Sequence, residues 1–169
     1  LPVRQQGELA RTVMDEFPNT NVILLGGRED AARNKEIAAI AGPGIIETPT
    51  EDGLRKRILY TDLADAVVTG DSLGMHIAIA LRKQIVVWFG VTCPQEIDLY
   101  GRGDKILARV NCSPCWKRAC DMEVKCYDMV DRGEVLGSLR RIHGTWLAER
   151  AGAPAGRHGA GAPHAYFSR

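Results

Sequence analysis

Ala66-Val67-Val68-Thr69-Gly70-Asp71-Ser72-Leu73-Gly74-Met75-His76-Ile77-Ala78-Ile79-Ala80-Leu81 is the stretch that decides the fold. Its first three residues are apolar without alternation, the mark of a strand covered on both faces. Gly70 ends the run, Asp71 or Ser72 can cap a helix, and Met75, Ala78, Ile79 and Leu81 follow at helical spacing. A buried strand passing through a tight turn into a helix is the building unit of a parallel sheet, because the helix is what covers the strand.

The same unit recurs on both sides. Upstream, Leu9, Val13 and Met14 give helical spacing to Arg4–Phe17, and Pro18, Asn19 and Asn21 break it. Val22-Ile23-Leu24-Leu25 reads as a buried strand closed by Gly26-Gly27. Ile37, Ala38 and Ala41 share one face of a helix over Ala31–Ala41, which Gly42-Pro43-Gly44 terminates before a short strand at Ile45-Ile46. Thr50 and Asp52 offer N-cap chemistry for a helix through Arg55, Ile58 and Leu59 to Asp62. Downstream, Ile85-Val86-Val87-Trp88-Phe89 is a buried strand stopped by Gly90, another strand is expected at Lys105–Val110, and a last helix fits Glu134–Ala148. Helices alternating with apolar strands through short connections predict an α/β fold: a Rossmann-like open parallel sheet with helices on both faces. Residues 1–150 read as one such domain, and 151–169, rich in Gly, Ala and Pro, as a flexible tail.

Composition bounds the function. The chain has 169 residues, enough for one domain with a full core. With 22 Lys+Arg against 21 Asp+Glu it carries no global field to draw it onto nucleic acid or an acidic membrane, so binding has to arise at a local site. No segment has the length of apolar sequence that a membrane-spanning helix needs, and no secretory layout opens the chain, so a cytoplasmic location is expected. The chain begins with Leu1-Pro2 and enters an amphipathic pattern directly, which reads as a fragment of something longer.

In open α/β sheets ligands sit beyond the C-terminal ends of the strands, which directs attention to the loops at Gly26, Gly70 and Gly90. At Gly70–His76 a helix start with free backbone N–H groups can attract a phosphate, and His76 in the first turn can donate to the same anion. Asp71 beside a pyrophosphate is repulsive unless its charge goes to backbone amides or sugar hydroxyls, so it is given an organising role. The alternative is that Asp71 and Ser72 only cap the helix and His76 packs. Gly90-Val91-Thr92-Cys93-Pro94 is a polar turn able to bring Thr92 and its amides to the same phosphates. Glu29 and Asp30 follow the first strand and can serve either as helix N-terminal charge or as contacts for a ribose. His143 and Trp146 on the last helix are expected to pack.

Cys112, Cys115, Cys120 and Cys126 form C-x2-C-x4-C-x5-C within residues 111–127. Four thiolates satisfy tetrahedral zinc, so a structural zinc site is one reading, with an iron–sulfur cluster a poorer fit to the spacing; a loop of reduced thiols, or of disulfides if oxidised, is the alternative. Trp116 and its basic neighbours suggest a surface loop, and Cys93 stands apart.

Together the Gly70 and Gly90 segments resemble the lipopolysaccharide heptosyltransferases, glycosyltransferases that carry D-[ST]-G-x-x-H-x-A-x-A, then a strand and G-x-T-x-P. Here the first motif is Asp71-Ser72-Leu73-Gly74-Met75-His76-Ile77-Ala78-Ile79-Ala80, with the glycine one position late, and the second is Gly90-Val91-Thr92-Cys93-Pro94. Leu24-Leu25-Gly26-Gly27 with Glu29-Asp30 looks like the family's acidic loop near the nucleotide, and the likeness runs from about residue 5 to 145. The resemblance implies the C-terminal half of a GT-B fold, in which two Rossmann-like domains face a cleft. It implies donor binding by Asp71, Ser72, Gly74, His76, Gly90, Thr92 and Glu29, an ADP-heptose or other nucleotide-diphosphate-sugar donor, and a lipopolysaccharide-core or related glycan acceptor. The acceptor domain and the general base would lie outside this chain, leaving no catalytic residue within it, and the location would be cytoplasmic or peripheral at the inner membrane. No cofactor is required: without a DxD motif, helix dipole, amides and His76 are the means of stabilising the leaving diphosphate. Two rival readings are a non-catalytic nucleotide-sugar-binding module and a metal-stabilised interaction domain built on the cysteine loop.

Overall fold

A computed structural model describes residues 1–152 and 164–167. Helices α1 (Val3–Glu16), α2 (Ala31–Ala41), α3 (Gly53–Asp62), α4 (Leu73–Ala80) and α5 (Arg132–Gly152) surround strands β1 (Asn21–Leu24), β2 (Ile45–Glu47), β3 (Ala66–Gly70), β4 (Gln84–Phe89), β5 (Gly103–Leu107) and β6 (His164–Phe167). The six strands form one sheet in the order β2-β1-β6-β3-β4-β5, and every pairing is parallel. The α/β architecture expected from the alternating pattern is the one observed.

The period of two along each strand sends neighbouring apolar side chains into two separate cores. Val22, Leu24, Val68, Val86 and Trp88 join Leu9 and Val13 of α1, Ile37 of α2 and Val135 and Leu139 of α5. Ile23, Leu25, Val67, Ile85, Val87 and Phe89 point the other way, against Met75 and Ala78 of α4, with Tyr60 of α3 packed alongside. Both faces are covered, so the strands are apolar throughout. His143 packs, as expected of it: its ring lies 5.0 Å from that of Phe17 and 5.9 Å from that of Trp146.

Four details depart from the expectations. Strand β5 begins at Gly103, ahead of Lys105, because Ile85 N–H already donates to Arg102 O (2.8 Å) and Gly103 lies directly on the Ile85 backbone. Helix α5 starts at Arg132 and continues to Gly152, into the segment expected to be a tail. Within that segment, residues 164–167 form β6, in register with Val22 and Ala66 through Ala165; the rest of it, 153–163 and 168–169, lies outside the described residues. Asp52 occupies the N-cap of α3 without making a cap bond; its carboxylate accepts instead from the Tyr60 hydroxyl at 2.6 Å.

The chain winds outward from β1 to β2, then returns through α3 to β3 and continues to β4 and β5. Progress along the sheet thus reverses between β1 and β3, and β6 fills the place between them. The mouth of a doubly wound sheet opens at such a reversal, above the C-terminal ends of the flanking strands.

Candidate functional site

Two cavities open at that reversal. The smaller, about 230 Å³, is lined by Leu25, Gly26, Glu29 and Asp30 after β1, by Arg57 and Thr61 of α3, and by Val67, Ser72, Leu73 and Gly74. The larger, about 530 Å³, is bounded by Gly70, Asp71, Ser72, Trp88, Lys125 and Tyr127, among others. Ser72 belongs to both, so the start of α4 is the wall they share.

The loop after β1 is shaped by Asp30. Its buried carboxylate turns back to accept the Gly27 N–H at 3.0 Å, and a side-chain carbon on Gly26 would come within 2.6 Å of Asp30 Cβ. Glycine is needed there for close approach. Locked in this way, Asp30 is a loop organiser, while the exposed Glu29 reaches over Gly27 at the rim of the smaller cavity.

At α4 the capping alternative fails. Ser72 is the N-cap residue in an extended conformation, but among the described residues no side chain caps the helix; its Oγ lies 3.1 Å from the Thr69 hydroxyl. The first-turn amides of Leu73 and Gly74 therefore keep the unsatisfied donors and positive dipole end inherent to a helix start. Asp71 sits in the wall of the larger cavity, close enough to Tyr127 to act on its phenol.

Gly90 also has a packing use. It is buried, and a Cβ there would lie 2.6 Å from Cys126 Sγ and 3.0 Å from the Tyr127 ring, so the cysteine loop docks on this glycine. Trp116 N–H donates to Val91 O at 2.8 Å, fastening the loop a second time. Lys105 of β5 holds the following turn by donating to Pro94 O at 2.7 Å and to Ile97 O. The result carries Tyr127 into the site. Burial raises its phenol pKa, the Cys126 and Asp71 charges add to the rise, and a hydrogen bond with the Val91 backbone opposes it. Burial likewise raises the Cys126 thiol.

Asp71, Ser72, Gly74 and Glu29 are thus brought around one pair of cavities, whereas Gly90, Thr92 and His76 line neither. The Thr92 hydroxyl is buried without a hydrogen-bond partner among the described residues, and His76 stands exposed on the first turn of α4. The five cysteines are free thiols, and among the described residues no three His, Cys, Asp or Glu side chains are placed to hold a metal ion. Among the described residues, no helix is long and apolar enough to cross a membrane.

Sequence reasoning missed Arg57, Lys125 and Tyr127. Arg57 and Thr61 are four apart on α3, a spacing that puts both on one helix face, but nothing local marks that face as the one beside the loop at Gly27.

Comparison with known proteins adds an independent line. The model of glycosyltransferase family 9 (heptosyltransferase) matches residues 4–126. Among solved structures, the chain is similar to Escherichia coli ADP-heptose lps heptosyltransferase II, with a TM-score of 0.63 and 23% sequence identity. That similarity covers 88% of this chain but only 42% of the bacterial enzyme. No curated protein sequence matches the chain.

Proposed function

The chain belongs to glycosyltransferase family 9, the heptosyltransferase family, and we propose on that premise that it is the donor-binding part of a sugar transferase. Its donor on this reading is an ADP-heptose or another nucleotide-diphosphate sugar, and its acceptor a lipopolysaccharide-core or related glycan. We place the acceptor-binding domain and general base outside these 169 residues, and the protein in the cytoplasm or at the inner face of the membrane. The single observation that carries the reading is the junction at Ser72, where two cavities meet over an uncapped helix start.

In the reaction the bond between the anomeric carbon and the diphosphate oxygen breaks, and a bond from an acceptor hydroxyl to that carbon forms. The hydroxyl proton passes to the base, and the leaving nucleoside diphosphate keeps the bonding electrons. Its developing charge falls at the start of α4, where the amides of Leu73 and Gly74 and the helix dipole are already oriented. Exposed His76 on the same turn is a further donor to phosphate. Glu29 is suited to accept from ribose hydroxyls at the rim of the smaller cavity. Asp71, in the larger, is suited to accept from hydroxyls of the sugar.

Calorimetric titration with ADP, UDP and GDP tests the reading, with Gly74→Val as the variant that narrows the smaller cavity beside the first-turn amides. Binding of one nucleotide by the wild-type chain, weakened at least tenfold in the variant, is the expected result. A wild-type chain that binds none of the three, or a variant that binds as well, defeats it.

A further inference from the structure

The smaller cavity contains two carboxylates, Glu29 and Asp30, with Asp71 next along the chain from its Ser72 wall. A diphosphate brought to the start of α4 meets that negative charge, and the half-charge of a helix end does not cancel it alone. Arg57 stands beside Glu29. A Cβ on Gly27 would sit 2.8 Å from Arg57 Nη2 and 2.6 Å from Glu29 Oε2, so the guanidinium and carboxylate converge over the glycine from two elements.

Arg57 is half-buried at that position, and its guanidinium has no carboxylate partner among the described residues. The backbone beneath it is held: its carbonyl accepts from the buried Thr61 hydroxyl at 2.8 Å, a contact one turn along α3. A guanidinium presents five N–H donors in a planar fork that matches phosphate oxygens in pairs. Among the described residues that line this cavity, Arg57 is the cation.

We propose that Arg57 binds a phosphate of the nucleotide donor from the α3 side, opposite the amides of α4, and so determines preference for a nucleoside diphosphate over the nucleoside. The assignment rests on the donor-binding reading above. Glu29 keeps the ribose contact, and Arg57 clamps the charge that Glu29 and Asp30 would otherwise repel.

The experiment is calorimetric titration of whichever nucleoside diphosphate the wild-type chain binds, alongside its parent nucleoside. Arg57→Ala and Arg57→Lys are compared with Arg55→Ala, a change at an exposed cation of the same helix. The expected result for Arg57→Ala is a loss of about tenfold to a hundredfold in diphosphate affinity, with nucleoside affinity held within about twofold. Arg57→Lys recovers part of the loss by keeping the charge without the fork, and Arg55→Ala changes neither ligand. Equal losses for diphosphate and nucleoside overturn the assignment by making Arg57 a nucleoside contact or a structural residue, and so does no loss in either. Both results leave the donor-binding reading standing, because the wild-type chain still binds; a wild-type chain that binds no nucleotide removes both.

Discussion

Arg140 donates to both carboxylate oxygens of Glu16, with Nη2···Oε2 at 2.8 Å, and so ties the end of α1 to the middle of α5 across 124 positions of sequence. The hydrogen bonds from Arg140 hold the Glu16 carboxyl below its ordinary value of 4.5; desolvation opposes them, and the guanidinium charge adds a lesser downward pull. A group whose pKa is lower in the folded state stabilises that state above its unfolded pKa. The contribution is lost as pH falls below about 4.5 and through the folded value. Arg140→Ala is therefore expected to melt below the wild type at neutral pH, with the gap closing as the pH is lowered into the acid range where Glu16 is protonated in both states. A gap that persists unchanged in acid would show that Arg140 acts by packing.

Gly103 has φ +142°, and a Cβ there would stand 1.7 Å from Ile85 O, inside the backbone of the neighbouring strand. Gly103→Ala is expected to lower unfolding stability by about 3 kcal/mol, since the obstruction is backbone and cannot rotate away. Urea denaturation measures it; a loss within about 0.5 kcal/mol would mean that the β4–β5 edge is looser than described.

Asp30 holds the Gly27 amide from within the protein. Asp30→Ala leaves that N–H without its partner and frees the loop beneath Glu29, which predicts a stability loss of about 2 kcal/mol. Nucleotide affinity should fall about tenfold with it, because the loop is then no longer preformed. Unchanged affinity in a stably folded variant would separate this loop from the binding site.

At Gly90 the predicted readout is chemical. The raised pKa of Cys126 should make it slower to alkylate than exposed Cys112 and Cys120. Gly90→Ala pushes a methyl into Cys126 Sγ, so alkylation of Cys126 should speed up while the other two keep their rates. Mass-spectrometric mapping of the labelled thiols follows all three; no change at Cys126 would argue against the docking of this loop on β4.

Much of the fold was open to sequence reading because its strongest signals are repeated. Ile85–Phe89 is apolar without alternation because Val86 and Trp88 enter one core while Ile85, Val87 and Phe89 enter the other. Strand β6 had no such signature: four residues after a Gly/Ala/Pro-rich stretch take their conformation from ladders on both sides. The site was legible where one turn contains it, as at Asp71-Ser72-Leu73-Gly74. It was not legible where distant segments converge. Arg57 comes to Gly27 from another helix, and Tyr127 comes to Asp71 from the cysteine loop.

Strand β6 also gives the sheet a keystone. Without its pairing, β2-β1 and β3-β4-β5 are two separate ribbons, the first carrying Glu29 and the second leading to Asp71 and Ser72. The width of the cleft between those residues is thus set by a four-residue backbone segment, much as the gap of a caliper is set at its beam. Amide exchange in β1 and β3 reports directly on whether that beam is in place.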